Sequence, residues 1–222
     1  MTQGLAVPLL PSQIDSAQML SQKLKGWMRS NRCLNLLHEQ LPGFSDETVL
    51  LKTVAVNTLY GTNVYAVQPV AQHVCQVLQQ VNLESAGPEL VERLAMVRLS
   101  DSTKPRRRHS FASKFAHRFI DADRFPILDG FAETMVKRHL GNLAQTSRNE
   151  RYVAFADNVS LLRELSGIDC SGREFDHYLW LAGAWRAVQN PKSRVSREVV
   201  ELFQSTDSET CQQIQMLHGE QP

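Results

Sequence analysis

The stretch at residues 110–141, SFASKFAHRFIDADRFPILDGFAETMVKRHLG, decides how the fold of this chain is interpreted. Its apolar spacing predicts a helix that carries Lys114, a short connector with a Phe-Pro pair, and a second helix that begins at Asp129. In the first helix, phenylalanines recur every four residues and bury one face, so Lys114 and Arg118 share another face. A lysine and an aspartate on consecutive helices can then converge on one point.

Helical periodicity also dominates the rest of the chain. Apolar residues three and four apart predict helices, and Gly or Pro residues predict the breaks between them. No stretch of alternating apolar and polar residues is long enough for a strand, so we predict an all-α protein. The tail beyond Ser205 is only weakly patterned. The other helices are predicted at 16–29, 31–40, 47–60 (capped near Ser45), 64–78, 89–99, 152–166, from Ser171 onward, and at 196–203.

Composition places the chain among ordinary soluble globular proteins. Of its 222 residues, 42% are hydrophobic and 21% are charged, so it can bury a core as one larger domain or two small lobes. No apolar run reaches the ~18 residues of a membrane span. The N-terminal MTQGLAVPLLPSQ lacks a basic segment followed by a long apolar run. We therefore expect no signal peptide, no membrane contact and a cytoplasmic location.

The cysteines argue against a metal site. Cys33, Cys75, Cys170 and Cys211 are far apart, and none belongs to a C-x-x-C pair. This spacing is not that of a structural zinc site or an iron–sulfur cluster. We expect reduced, mostly buried thiols, no bound metal and no cofactor.

Positive charge is concentrated in one part of the chain. The formal net charge is only +1, yet the segment from Lys104 to Arg138 holds nine Lys and Arg residues against four acidic ones. Its first part is the basic run KPRRRH at 104–109. A basic face on a near-neutral protein is typical of local contact with phosphate groups, the alternative being a solvated basic loop.

Lys114 and Asp129 are residue types that break a glycosidic bond through an amine nucleophile. An amine attacks carbon only when it is deprotonated, and burial or a neighbouring cation such as Arg118 favours that form. A carboxylate stabilises the charge that develops on a sugar ring as its base leaves. The simpler alternatives are that Lys114 is a surface lysine and that Asp129 only caps its helix, which contributes roughly 1 kcal/mol.

This pattern resembles the helix-hairpin-helix DNA glycosylase superfamily, in its 8-oxoguanine glycosylase-like branch. The resemblance rests on Ser113-Lys114-Phe115-Ala116 followed by Phe125-Pro126-Ile127-Leu128-Asp129, and on the weaker similarity of 51–74 and 173–183. It implies a single helical domain over 1–222, built as a two-lobed bundle with the site in the interlobe cleft. The lobes are expected at about 45–100 and 101–222, with N-terminal helices 14–41 packed on them.

The resemblance also implies roles for individual residues. The family's hairpin glycines are missing from the corresponding RRRHSFAS at 106–113, so arginine and serine side chains are expected to contact phosphate instead. For the aromatic and histidine residues the alternative is an ordinary packing role. The implied DNA contacts are Asn57, Tyr60, Asn63, Arg106, Arg107, Arg108, His109, Ser110 and Ser113, and the implied base pocket is His117, Arg118, Phe175 and Trp180.

The function that follows from the resemblance is excision of a damaged or modified base that is flipped out of double-stranded DNA. Oxidised guanine is the main candidate for this base. Lys114 attacks C1′, Asp129 stabilises the transition state, and a β-lyase step follows. The alternative is a non-catalytic module for DNA or protein binding that retains the fold. The two are separated by whether the protein forms a covalent adduct with DNA.

Overall fold

The computed structural model describes residues 4–98, 106–190 and 194–219, and the fold of this part of the chain is all-α, as predicted. Besides its helices it holds one antiparallel pair of two-residue strands, Met96–Val97 (β1) and Arg106–Arg107 (β2). None of the helices in these ranges has the length and apolar character needed to cross a membrane. The helices are α1 Pro11–Lys23, α2 Lys25–Gln40, α3 Asp46–Tyr60, α4 Val67–Leu78, α5 Glu89–Ala95, α6 His109–Phe119, α7 Gly130–Leu140, α8 Arg151–Ser166, α9 Gly172–Val188, α10 Arg197–Phe203 and α11 Ser208–Leu217.

The chain divides into two compact units that interleave along the sequence. The terminal unit, as we call it, consists of Met1–Arg29, Asp129–Thr146 and Asp157–Pro222, and the central unit consists of Ser30–Leu128 and Ser147–Ala156. The chain leaves the terminal unit after Arg29 and returns to it at Asp129. The lobes expected from the sequence, at 45–100 and 101–222, are instead consecutive along the chain.

In the terminal unit, α9 packs against both α7 and α1, and α1 also packs against α11. Leu20 on α1 and Tyr178 on α9 are completely buried in this core. The approach of α9 to α7 is close because Gly183 has no side chain: a Cβ there would lie 2.5 Å from the carbonyl oxygen of Phe131. This glycine therefore sets the spacing of the two helices.

In the central unit, α6 packs against α3 and α5, and α3 packs against α4. The predicted aromatic face of α6 is confirmed, because Phe111, Phe115 and Phe119 are all buried. Their ring centres follow one another at 6.0 and 5.3 Å. Burial of three large rings on one side holds α6 in place and determines which side its polar residues occupy.

The predicted starts of three helices are confirmed. Ser45, Asp129 and Ser171 cap α3, α7 and α9, and each side chain accepts hydrogen bonds from backbone N–H groups of the first turn. The predicted break after α3 is confirmed as well, because Gly61 takes a left-handed conformation with φ 58°. Glycine commonly ends a helix because, without a Cβ atom, it adopts a positive φ without steric strain.

Other boundaries differ from the prediction. The helix expected at 16–29 is two helices, since the backbone leaves the helical region at Leu24 with ψ 86°, two residues before Gly26. Helix α5 ends at Ala95 instead of Leu99, because the next two residues pair with β2. Helix α11 occupies the tail whose sequence is only weakly patterned.

Candidate functional site

Lys114 is buried in the central unit, with only 8% of its surface exposed. Its Nζ donates a hydrogen bond of 3.0 Å to Oγ of Ser110, one turn earlier on α6. The same Nζ lies 5.3 Å from the ring centre of Tyr60 at the end of α3. The alternative of an ordinary surface lysine is therefore wrong, because this amine is held in one place by a hydroxyl and an aromatic ring.

Arg118 lies beside Lys114, as the four-residue spacing predicted, and is 6% exposed. Its Nε donates to the hydroxyl of Tyr60 at 2.5 Å, and its Nη2 donates to Oδ1 of Asn31 on α2. The guanidinium carbon is 5.7 Å from the Tyr60 ring centre. We call Ser110, Lys114, Arg118, Tyr60 and Asn31 the Lys114 cluster. In this cluster the side chains of Lys114 and Arg118 both contact the ring of Tyr60.

The connector before Asp129 is fastened to α6. The ring Nδ1 of His117 donates to the carbonyl of Phe125 at 3.0 Å, and the backbone N–H of Leu128 donates to Oγ of Ser113 at 3.1 Å. His117 and Ser113 are buried, so their polar groups hold the connector from inside the central unit. Of the roles predicted for these two residues, neither base-pocket nor phosphate contact is tested by this geometry.

Asp129 is half-buried and caps α7 with a single carboxylate oxygen. Its Oδ1 accepts from the backbone N–H groups of Phe131 and Ala132, both at 2.9 Å. The residue opens the second segment of the terminal unit, whereas Lys114 belongs to the central unit. The capping role is thus established, and the pairing of Asp129 with Lys114 stays a prediction.

The turn after α3 is shaped by Asn57. Its Nδ2 donates to the carbonyl of Val64 at 3.0 Å, while its Oδ1 accepts from the Val64 N–H and from the Thr62 hydroxyl at 2.8 and 2.9 Å. This arrangement leaves Asn63 exposed, in a left-handed conformation with φ 56°. It also projects Tyr65, which is 88% exposed. Sequence reasoning missed Tyr65, although an aromatic residue two positions after a Gly-Thr-Asn turn is a signal that could have found it.

The described arginine side chains of the basic run, Arg107 and Arg108, form hydrogen bonds to neighbouring loops. Arg107 donates through Nη1 to the carbonyls of Arg148 and Asn149, at 3.0 and 2.9 Å, and Arg108 donates to the carbonyl of Asn63 at 3.4 Å. The bond from Arg108 joins the run to the exposed turn after α3. Lys104 and the side chain of Arg106 lie outside the described part of the chain.

His109 is buried and contacts α5 of the central unit. It is 7% exposed, and its Nε2 is 2.7 Å from Oε2 of Glu92 on α5. The other oxygen of Glu92 accepts from the backbone N–H of Tyr152. Glu92 therefore ties the starts of α6 and α8 to α5, a role that the sequence did not reveal.

The two aromatic residues predicted for the base pocket belong to the terminal unit. Phe175 is 1% exposed, with the guanidinium carbon of Arg163 lying 5.6 Å from its ring centre. Trp180 is half-buried and stacks on Trp27, with ring centres 6.0 Å apart and planes 11° apart. Phe175 thus packs in the core, which was the alternative given for it.

The cysteines differ partly from expectation. All four thiols are free, but Cys75 alone is buried, while Cys33 is exposed and the other two are partly so. Burial and the nearby carboxylate of Asp46 raise the pKa of Cys75 to about 11. Among the described residues, no group of three or more His, Cys, Asp and Glu side chains is arranged to hold a metal ion.

Comparison with known proteins identifies a family for half of the chain. A family model named HI_0787_N, described as an N-terminal domain, matches residues 13–123. No curated protein and no solved structure matches the chain. The matched part includes Lys114 on α6 and ends before Asp129. The chain therefore belongs to the HI_0787_N family.

Proposed function

We propose that the protein is a DNA glycosylase with β-lyase activity that removes a damaged or modified base from double-stranded DNA. Oxidised guanine is the main candidate for this base. One observation carries the proposal: a buried lysine amine, held by Ser110 and Tyr60 and flanked by Arg118, on the helix whose connector leads to Asp129. This order of helix, lysine, connector and aspartate is the one that resembles the glycosylases. The proposal includes their two-lobed bundle with the site in the cleft, and a cytoplasmic location.

In this mechanism the amine of Lys114 forms a bond to C1′ of the deoxyribose while the bond from C1′ to the base breaks. The base leaves with a proton, and the carboxylate of Asp129 stabilises the positive charge on the sugar ring. Opening of the ring gives a Schiff base between Nζ and C1′. Loss of a proton from C2′ then expels the 3′ phosphate, which nicks the strand.

DNA binding is assigned to the exposed side of the central unit. Asn63 and Tyr65 reach solvent from the turn after α3, and Arg108 joins that turn to the basic run. An exposed aromatic ring stacks on bases or fills the gap that a flipped nucleotide leaves, and flipping costs a few kcal/mol. We therefore add Tyr65 to Asn57, Tyr60 and Asn63 as the residues that support an extruded nucleotide.

Borohydride trapping tests the proposal. The protein is incubated with duplexes that carry 8-oxoguanine or an abasic site, and borohydride reduces any Schiff base to a stable adduct. We expect an adduct that disappears in Lys114→Gln and persists in Lys137→Gln, which removes an exposed lysine on α7. Circular dichroism confirms that both variants fold. An undiminished adduct in Lys114→Gln removes Lys114 from the mechanism.

One observation favours a non-catalytic DNA-binding module as the second candidate. The described arginines of the basic run are bonded to backbone carbonyls of this chain, and the glycines of a phosphate-binding hairpin are missing at 106–113. Such a module binds altered DNA with strong salt dependence but forms no adduct. The trapping experiment separates the two candidates, provided that binding is measured on the same duplexes.

A further inference from the structure

The terminal unit contains a cavity that the proposed chemistry of Lys114 does not use. Its volume is about 140 Å³, and residues of α1, α7, α9 and the end of α11 line it. Space of this size holds several water molecules or one compact solute. Its walls are more polar than those of an ordinary packing defect, because histidine, tyrosine, glutamine and arginine side chains face it.

One wall is a hydrogen-bond network with a fixed direction. His139 is buried, and its Nδ1 donates to the carbonyl of Val7 at 2.8 Å, so its Nε2 accepts from the hydroxyl of Tyr178 at 2.7 Å. Gln13 donates to that same hydroxyl oxygen at 3.4 Å and to the carbonyl of Leu217 at 3.0 Å. Burial lowers the pKa of His139, which keeps the ring neutral in this arrangement. These groups are engaged with one another and form a rigid polar wall.

The other side of the cavity carries basic groups. Arg138 on α7 and Arg186 on α9 line it with exposed side chains, and His218 lines it from the end of α11. The Nε2 of His218 is buried and has no hydrogen-bond partner. Burial and the two guanidinium groups lower the pKa of His218 to about 4, so at neutral pH it is an uncharged imidazole. Of the described residues, those that line the cavity include no carboxylate.

Two guanidinium groups and an imidazole line one cavity, and no carboxylate is among the described residues around it, so its surroundings favour a negatively charged ligand. We propose that this cavity binds a small oxyanion of the phosphate class, as free phosphate or as a phosphate monoester, between Arg138 and Arg186. Each guanidinium presents N–H groups in a planar fork that matches phosphate oxygens. Met135, Ala182 and Trp185 give room for the small organic part of a monoester.

Anion binding is expected to be linked to the protonation of His218. The titratable and charged groups that face the cavity with it are Arg138 and His139 from α7 and Tyr178 and Arg186 from α9. A bound phosphate neutralises the two arginines and favours the charged imidazolium, so it raises the pKa of His218. Protonation of His218 therefore favours binding, whereas protonation of the phosphate itself, whose second pKa is about 6, weakens it. The coupling to His218 is read from the titration of its ring with and without phosphate.

Isothermal titration calorimetry of the full chain tests this site. The probes are inorganic phosphate, glycerol phosphate and a short single-stranded oligonucleotide, in phosphate-free buffer at pH 6. We expect saturable binding of the first two, about tenfold weaker in Arg138→Gln and in Arg186→Gln because a charge-assisted hydrogen bond is removed. The matched control is Lys137→Gln, which removes the neighbouring charge on α7, does not line the cavity, and is expected to bind like the wild type.

Three outcomes would overturn the proposal. The first is that neither small anion binds saturably, and the second is that Lys137→Gln weakens phosphate binding as much as Arg138→Gln and Arg186→Gln do. The third is that the protein binds the oligonucleotide but neither small anion. Both arginines are exposed, so we expect their variants to fold, and thermal melting without phosphate verifies this. NMR of the His218 ring gives an independent readout, since its titration midpoint should rise with phosphate in the wild type and not in Arg186→Gln. None of these measurements depends on the reactivity of Lys114.

Discussion

Lys114 and Lys52 are both buried lysines of the central unit, but their surroundings differ. Lys52 is completely buried, donates to the carbonyl of Gly43 at 2.8 Å and lies 4.6 Å from the ring centre of Phe44. Burial lowers the pKa of Lys52. Lys114 keeps 8% of its surface exposed and bonds to Ser110, which is itself exposed. A sugar carbon must reach the amine, so the nucleophile that we propose is Lys114 and not the completely buried Lys52.

His218 gives a prediction about acid stability. Its pKa in the folded chain is about 4, below the ordinary value of 6.5, so the unfolded chain binds the extra proton first as the pH falls. Stability is complete above pH 6.5 and decreases toward pH 4 by about 1 to 2 kcal/mol, less than the full shift would give because His218 is partly exposed. Urea unfolding in phosphate-free buffer measures this decrease.

The control for this prediction is His218→Gln, which has no titrating group in the cavity at that position. We expect its free energy of unfolding to decrease less than that of the wild type between pH 6.5 and pH 4.5. Comparing slopes avoids any constant packing effect of the substitution beside Trp185. Equal slopes in the two proteins would show that His218 does not carry the effect.

At the scale of elements, local patterns were predictable from the sequence and long-range partners were not. The shared face of Lys114 and Arg118 follows from helix geometry four residues apart, and the cap at Asp129 follows from residue type. Tyr60 and Asn31 are 58 and 87 residues from Arg118, and no local pattern states which helices will pack together. Much of the Lys114 cluster was therefore visible only in the fold.

Gly183 gives a prediction at the same scale. In an exposed helix, Gly→Ala stabilises by about 1 kcal/mol. In Gly183→Ala the new Cβ would lie 2.5 Å from the carbonyl oxygen of Phe131, so α7 and α9 must move apart. We expect a decrease of about 1 to 3 kcal/mol in the free energy of unfolding.

The matched control for Gly183 is Gly130→Ala at the first residue of α7, where a Cβ meets no atom within 4 Å. This change should be neutral or slightly stabilising. Urea denaturation of both variants gives the comparison. A Gly183→Ala variant as stable as Gly130→Ala would mean that the two helices are not in close contact at this point.

At the scale of the whole molecule, charge distribution matters more than net charge. The formal net charge of +1 gives no general attraction to nucleic acid, so the DNA binding that we propose depends on local contacts in the basic run. The units also differ in their candidate chemistry. The central unit carries the Lys114 cluster and the exposed turn, and the terminal unit carries the cavity with Arg138 and Arg186.

This distribution predicts how DNA binding depends on salt. In Arg107→Gln and Arg108→Gln we expect weaker binding, and a slope of log affinity against log salt that is smaller by about one for each arginine–phosphate pair that the substitution removes. The control is Arg197→Gln, which removes an almost fully exposed charge of the terminal unit and should keep the slope. Fluorescence anisotropy with an abasic duplex measures all three. Unchanged slopes in the first two variants would exclude the basic run as the phosphate-binding segment.

Identification of the trapped lysine tests the central claim most directly. Trypsin does not cleave at a modified lysine, so an adduct on Lys114 leaves the peptide HSFASKFAHR, residues 109–118, joined to the DNA remnant. Mass spectrometry of the wild-type adduct, after nuclease digestion, reads this peptide without any substitution that could affect folding. The account predicts the adduct on Lys114. An adduct located on Lys52 or on any other residue would contradict it.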